Sequence, residues 1–290
     1  MARDLVDPAC DSQHCDSLIL LKFKVVAHFI CLRDSMAESL GPPTDISNDT
    51  NEDLESREPD DKTLERNKRW EMAFAARMRE IVPGLFLGNV EASYKREMLR
   101  ENCINAIVSL TDARWVWWNS ITREAGIPEH RHKWVQCADS STQDLLVQMS
   151  DICDFIDEIA SPALRSSSTL PVEHEPESSV KLREPPSEAV LVHCDLGISR
   201  SPTVIIAYLM RKYGLEQDDA LTFVQSKAKV NPSANFTRQL EVWEQTGYEV
   251  WENEERTVPK APYRAFLEDR AALLKRKGLT GHEPLAPLNL

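Results

Sequence analysis

The segment Ala189-Val190-Leu191-Val192-His193-Cys194-Asp195-Leu196-Gly197-Ile198-Ser199-Arg200-Ser201-Pro202 passes from an apolar run to a polar loop and then to a helix start. The apolar run fits a short strand buried on both faces. Five residues separate Cys194 from Arg200. That spacing lets the loop 193–200 curl until its backbone N–H groups converge on one anion, while the helix behind it adds the positive end of its dipole. Gly197 permits the tight turn. The same field stabilises a thiolate, so Cys194 reads as an activated nucleophile. Arg200 can meet two phosphate oxygens with its planar fork, a contact that strengthens as the transferring group flattens, and lysine is a poor substitute there. Ser201 brings a hydroxyl near the sulfur, suited to stabilising a departing thiolate, and His193 orders the loop rather than reacting.

Moving towards the N-terminus, 161–188 is rich in Ser, Pro and Glu and reads as an exposed insertion. Before it, Leu145, Met149, Ile152, Phe155, Ile156 and Ile159 recur at helical spacing, predicting a helix over 144–159. Strands are expected at 133–137 and 104–110, a helix at 93–101, and two brief strands around the turn Pro83-Gly84 within 81–88. Structure is expected to begin near Trp70, after a 1–69 region too polar over 36–68 to offset the entropy of ordering. On the other side of the loop, helices are predicted over 201–213, 216–229 and 236–251 as a layer on one sheet face. A tail, 253–290, contains an amphipathic helix at 262–277 whose apolar side is Tyr263, Phe266, Ala271 and Leu274, free to dock on the domain or on a partner. Strands alternating with helices indicate an α/β fold with a central, mostly parallel sheet flanked by helices.

Composition narrows the function. The chain has 290 residues, ordinary hydrophobic content (42%) and a net charge of -13, which disfavours a grip on nucleic acid. Its seven cysteines, at 10, 15, 31, 103, 137, 153 and 194, form neither a disulfide framework nor a zinc module, so a reducing compartment, cytoplasm or nucleus, is expected. The apolar run 18–32 is broken by Lys22, Lys24 and His28 and is too short to span a bilayer. Trp115, Trp117 and Trp118 form an aromatic knot that either packs on the sheet or lines a binding cleft.

The loop His193-Cys194-x5-Arg200-Ser201 resembles the signature of the protein tyrosine phosphatase superfamily, and the ending Gly197-Ile198-Ser199-Arg200-Ser201 resembles its dual-specificity branch. The likeness covers roughly 80–252 and extends to Pro202-Thr203-Val204, Gln239-Leu240 and Trp243; no kinase-docking domain is read ahead of it. The resemblance implies a tyrosine phosphatase-like fold, a phosphocysteine intermediate, no metal, no cofactor, and phosphorylated protein as substrate, with hydrolysis of phosphotyrosine and also of phosphoserine and phosphothreonine. A phosphoprotein-binding pseudophosphatase is the alternative, disfavoured because Cys194 and Arg200 are both present. Lipid and RNA substrates are disfavoured by a loop that carries Asp195 and no lysine.

The resemblance also implies a general-acid aspartate on a loop between a strand and a helix. Asp139 occupies that place, with Asp112 and Asp144 as rivals, the latter better explained as a helix cap. Three positions depart from the family pattern. Ser233 stands where an asparagine would brace the phosphate loop, so a less rigid loop is expected. Asn235 replaces a glycine, a substitution that left-handed backbone tolerates, and Leu196 replaces the commoner alanine. Cys103 and Cys137 are candidates either for core filling or for a protective disulfide with Cys194.

Overall fold

In the computed structural model the described residues are 75–112, 118–159, 164, 169–170 and 188–283. The expectations for 1–69, for Trp115 and Trp117 and for most of 161–188 therefore fall outside the described residues.

The sheet has five strands in the order β1-β2-β5-β3-β4: β1 (Met78–Val82), β2 (Leu85–Asn89), β3 (Ile104–Thr111), β4 (His132–Gln136) and β5 (Ala189–Cys194). β1 and β2 form the antiparallel hairpin expected around Pro83-Gly84, and β2, β5, β3 and β4 run parallel. Every residue of β5 is buried, as a central strand covered on both faces requires. Alternation along β5 divides the core: Val190, Val192 and Cys194 face one apolar cluster, Ala189 and Leu191 the other.

The first cluster packs under helices α4 (Leu146–Ile159), α5 (Arg200–Tyr213), α6 (Gln217–Lys227) and α7 (Ala234–Gln245). The second, with Phe86, Leu99, Ile107 and Ile127, draws on the short helices α2 (Arg96–Glu101) and α3 (Trp118–Ala125), which follow a first short helix, α1 (Val90–Ser93). The single helix expected over 93–101 is thus two, because Asn89 caps an early turn and Lys95 adopts extended backbone between them. The helix expected to reach residue 251 ends at Gln245, where Gly247 and Tyr248 take left-handed backbone (φ 65° and 64°) and Trp251 instead bridges to Pro259.

The tail helix is real and docked. Helix α8 (Ala261–Lys277) buries Tyr263, Phe266 and Leu274 and ends on left-handed Gly278. Tyr263 and Phe266 belong to the first apolar cluster, and Tyr263 meets Trp251 edge to face at 5.4 Å. Ala271, expected on the apolar side, is exposed; Leu267 packs against the cluster instead. Among the described residues no helix is long and apolar enough to cross a membrane.

Candidate active site

Cys194 ends the central strand, so it lies at the carboxyl edge of a parallel sheet, where the backbone leaves the hydrogen-bonded ladder and a loop can open towards a ligand. The side chain is 2% exposed, and its Sγ accepts two hydrogen bonds, from the Gly197 N–H and the Ser201 hydroxyl, both at 3.2 Å. Between them the backbone is turned by anchors outside the loop. Asp195 C=O accepts from Val90 N–H (3.2 Å), Leu196 C=O from Arg77 Nη2 (3.0 Å) and Ile198 C=O from Asn231 N–H (2.9 Å). In a planar trans peptide each carbonyl points opposite the next N–H. Three outward carbonyls therefore turn the N–H groups of Leu196, Gly197 and Ser199 inward, building an anion-binding concavity.

Gly197 is required twice over. Its φ is +70°, and an added Cβ would lie 2.8 Å from the Gly88 carbonyl oxygen. β2 presses on the loop here: Gly88 pairs with His193 and Asn89 with Cys194. Asn89 is 1% exposed and fully engaged, its Oδ1 accepting from Arg77 N–H (2.9 Å) and Ala92 N–H (3.2 Å) and its Nδ2 donating to Ala75 C=O (2.9 Å).

Arg200 opens α5 and is 6% exposed. Nη1 donates to the Cys137 carbonyl at 2.9 Å, and Nη2 is ion-paired with Asp195. Burial alone would lower the guanidinium's pKa, but Asp195, Cys194 and Cys137 outweigh it and raise it, so the group is a fixed cation. Its Nε makes no hydrogen bond among the described residues. The carboxylate of Asp195 thus occupies one arm of the fork expected for phosphate. Asp195 also faces Tyr94, whose hydroxyl is pushed up by burial and then by Glu91 and Asp195.

His193 is fully buried behind the loop, where its Nε2 lies 2.6 Å from Ser109 Oγ, which lies 2.8 Å from His132 Nε2. Burial first, then the neighbouring His132, pushes its pKa down to about 3, so the ring is neutral. Ser109, His132, Asn89 and Arg77 were not anticipated. Asn89 alone carried a sequence signal, an N-cap residue directly after a glycine that ends a short strand. Ser109 and His132 become neighbours of His193 only through strand pairing.

Asp139 is exposed in the loop after β4, two residues beyond the carbonyl that binds Arg200. Asp144 behaves as a cap and anchor: Oδ1 accepts from Leu146 N–H (2.9 Å), Oδ2 from the Tyr263 hydroxyl (2.8 Å), and burial raises its pKa against those bonds. Asp112 lies at the end of β3, its carbonyl bound by Gln136 Nε2 at 3.0 Å.

The departures resolve differently from expectation. Ser233 does brace the loop, but with its backbone N–H, which donates to Ser199 Oγ at 3.2 Å. Asn235 is not in left-handed backbone; it lies in α7 and donates to the carbonyls of Ser140 (2.9 Å) and Gln143 (2.8 Å). Leu196 is 43% exposed at the rim of the loop. Cys137 is buried, its thiol pushed up to about 12 by burial, with Arg200 pulling the other way. Cys103 precedes Ile104, which sits beside Ala189 at the start of β5. Five residues of strand therefore separate its level from Cys194, about 16 Å, too far for a disulfide in this fold.

Comparison with known proteins agrees with the loop. The family described as "Dual specificity phosphatase, catalytic domain" matches residues 180–246. Tyrosine-protein phosphatase yvh1 of Schizosaccharomyces pombe is 32% identical over 149 residues, 51% of this chain and 36% of that one. Dual specificity protein phosphatase 1 of Arabidopsis thaliana is 32% identical over 162 residues, 56% of this chain and 66% of that one. The chain thus spans between about a third and two thirds of the length of these curated relatives. Among solved structures, the Yvh1 phosphatase domain from Chaetomium thermophilum aligns over 59% of this chain and 96% of its own at 27% identity and a TM-score of 0.44. Human tyrosine phosphatase-like serine/threonine/tyrosine-interacting protein aligns over 58% and 96% at 26% identity and a TM-score of 0.43.

Proposed function

We propose that this chain, whose residues 180–246 match the family described as "Dual specificity phosphatase, catalytic domain", hydrolyses phosphotyrosine, and phosphoserine and phosphothreonine, in protein substrates through a phosphocysteine intermediate. The observation that carries this reading is the sulfur itself: Cys194 Sγ sits at the floor of the loop, held by Gly197 N–H and Ser201 Oγ, with Arg200 alongside.

The first step transfers the phosphoryl group from the substrate oxygen to Cys194 Sγ. The S–P bond forms in line as the P–O bond to the side chain breaks, and the electrons of that bond leave with the oxygen. Asp139 gives that oxygen a proton, so a neutral alcohol or phenol departs. Arg200 and the inward N–H groups hold the equatorial oxygens, whose charge they meet best when the group is planar. In the second step Asp139, now a carboxylate, takes a proton from water as the water oxygen attacks phosphorus and the S–P bond breaks. The thiolate that leaves receives the Ser201 hydroxyl bond at 3.2 Å. Inorganic phosphate is released and the site is restored without metal or cofactor. A cytoplasmic or nuclear setting agrees with a nucleophile that must stay reduced.

Hydrolysis of phenyl phosphate, an aryl ester whose leaving group departs poorly without a proton, tests the reading. Cys194→Ser is expected to abolish turnover, and Asp139→Asn to reduce kcat by about a hundredfold or more. A wild type no more active than Cys194→Ser between about pH 5 and 8 refutes the enzyme reading; a fully active Asp139→Asn refutes the assignment of the acid.

A further inference from the structure

The segment 137–145, which carries Asp139, is held from outside along most of its length. Asn235 grips the carbonyls of Ser140 and Gln143, and Gln239 both donates to the Gln143 carbonyl (2.8 Å) and accepts from Leu145 N–H (2.7 Å). Those contacts come from α7. Helix α8 adds three more, spaced along one side. Tyr263 donates its hydroxyl to Asp144 Oδ2 (2.8 Å), Arg270 Nε donates to the Thr142 carbonyl (2.7 Å), and Lys277 Nζ donates to Ser141 Oγ (2.9 Å).

The helix is in turn fixed to the domain. Tyr263 is 1% and Phe266 3% exposed, Arg238 of α7 is ion-paired with Asp269, and the same guanidinium stacks 5.6 Å from the Phe266 ring. Asp139 and Ser141 are the exposed residues of the segment, and of the two only Ser141 has its side chain bonded, to Lys277, among the described residues. A loop clamped at 140–145 and free at 139 confines the carboxyl to a small region while letting it turn towards a bound phosphate ester.

We propose that α8 is a positioning element for the acid-bearing loop, with Arg270 and Tyr263 as its positioning residues, so that the C-terminal helix sets the efficiency of proton transfer without touching substrate. This rests on the reading of Asp139 as general acid. A proton donor must be aligned within hydrogen-bond reach of the leaving oxygen, and displacing it matters most for a leaving group that departs poorly without its proton. Loosening the brace therefore affects phenyl phosphate far more than 4-nitrophenyl phosphate, whose phenolate leaves readily.

The test uses the full chain with Arg270→Ala, Arg270→Lys and Tyr263→Phe. Amide exchange over 138–145 is expected to accelerate about tenfold in Arg270→Ala while β5 and α5 keep their protection. kcat is expected to fall about tenfold on phenyl phosphate and less than about twofold on 4-nitrophenyl phosphate, with KM unchanged. Arg270→Lys, which retains a donor, recovers part of the loss; Tyr263→Phe repeats it in milder form. Unchanged loop exchange overturns the proposal, as does acceleration spread evenly through β5, which marks general destabilisation. Equal losses on both esters overturn it too, provided Asp139→Asn shows the leaving-group signature. If Asp139→Asn lacks that signature, the acid assignment fails, and the exchange result alone decides whether α8 braces the loop.

Discussion

Asp195 is the loop residue with the sharpest consequence of its own. Its carboxylate is ion-paired with Arg200 Nη2, and its side chain is 35% exposed while that of Arg200 is 7% exposed. In the proposed reaction a phosphate dianion takes the same guanidinium, so binding displaces Asp195 and leaves it beside the newcomer, an unfavourable like-charge contact. Asp195→Asn keeps the size and removes the charge. Affinity for vanadate or inorganic phosphate is expected to rise about tenfold, near 1.4 kcal/mol, and KM to fall, with kcat changed much less. An unchanged inhibition constant for vanadate contradicts this competition. The residue's presence is plain in the sequence, where a loop with Asp195 and no lysine disfavours lipid and RNA substrates. Its pairing with Arg200 was not legible, because two residues five apart in a loop meet only once the loop's curvature is known.

At the level of elements, the loop takes its shape from β2 as much as from the helix behind it. Gly88 and Asn89 lie beside His193 and Cys194, and Gly197 rests on the Gly88 carbonyl with no room for a methyl group. Gly197→Ala combines left-handed strain of about 1–2 kcal/mol with a backbone clash that pushes the loop away from β2. Thermal unfolding is expected to fall by roughly 3–8 °C, and phosphate binding to be lost more completely than stability, because the inward N–H groups move. A variant that keeps full vanadate affinity speaks against this coupling. Here sequence reading succeeded where local chemistry decides: the Pro83-Gly84 hairpin, the run of β5, and the helices expected over 201–213 and 144–159, which form over Arg200–Tyr213 and Leu146–Ile159. It failed where distant parts meet. Asn235 looked like a tolerated substitute in a turn, yet its amide spans to the carbonyls of Ser140 and Gln143, more than ninety positions away. Ser233 looked like a lost brace because side chains, not backbone donors, are what a sequence displays.

Across the whole molecule, the carboxyl edge of the sheet gathers the loop, the Asp139 segment and, through α7, helix α8, so folding and site assembly are one event. The opposite side of the loop rests on His193, fully buried against Ser109 and neutral because burial and His132 hold its pKa near about 3. In the unfolded chain the same imidazole titrates at its ordinary value, about 6.5. Below that value the unfolded state takes up a proton that the folded state refuses, so the contribution is fully present above about pH 6.5 and is lost as pH falls towards 3. Asp144 works in the opposite sense, its raised pKa favouring the folded state only at lower pH, near the ordinary carboxylate range. Between pH 7 and 5 the histidine therefore dominates this pair, costing about 2 kcal/mol of stability. Denaturant unfolding at the two pH values is expected to show that loss in the wild type and a much flatter response in His193→Gln, which keeps a hydrogen-bonding group facing Ser109 but cannot titrate. Equal pH dependence in both proteins means that His193 is not the group through which acid reaches the core. Loss of vanadate binding in step with the unfolding transition, rather than ahead of it, is the further mark of a site that exists only while the sheet edge does.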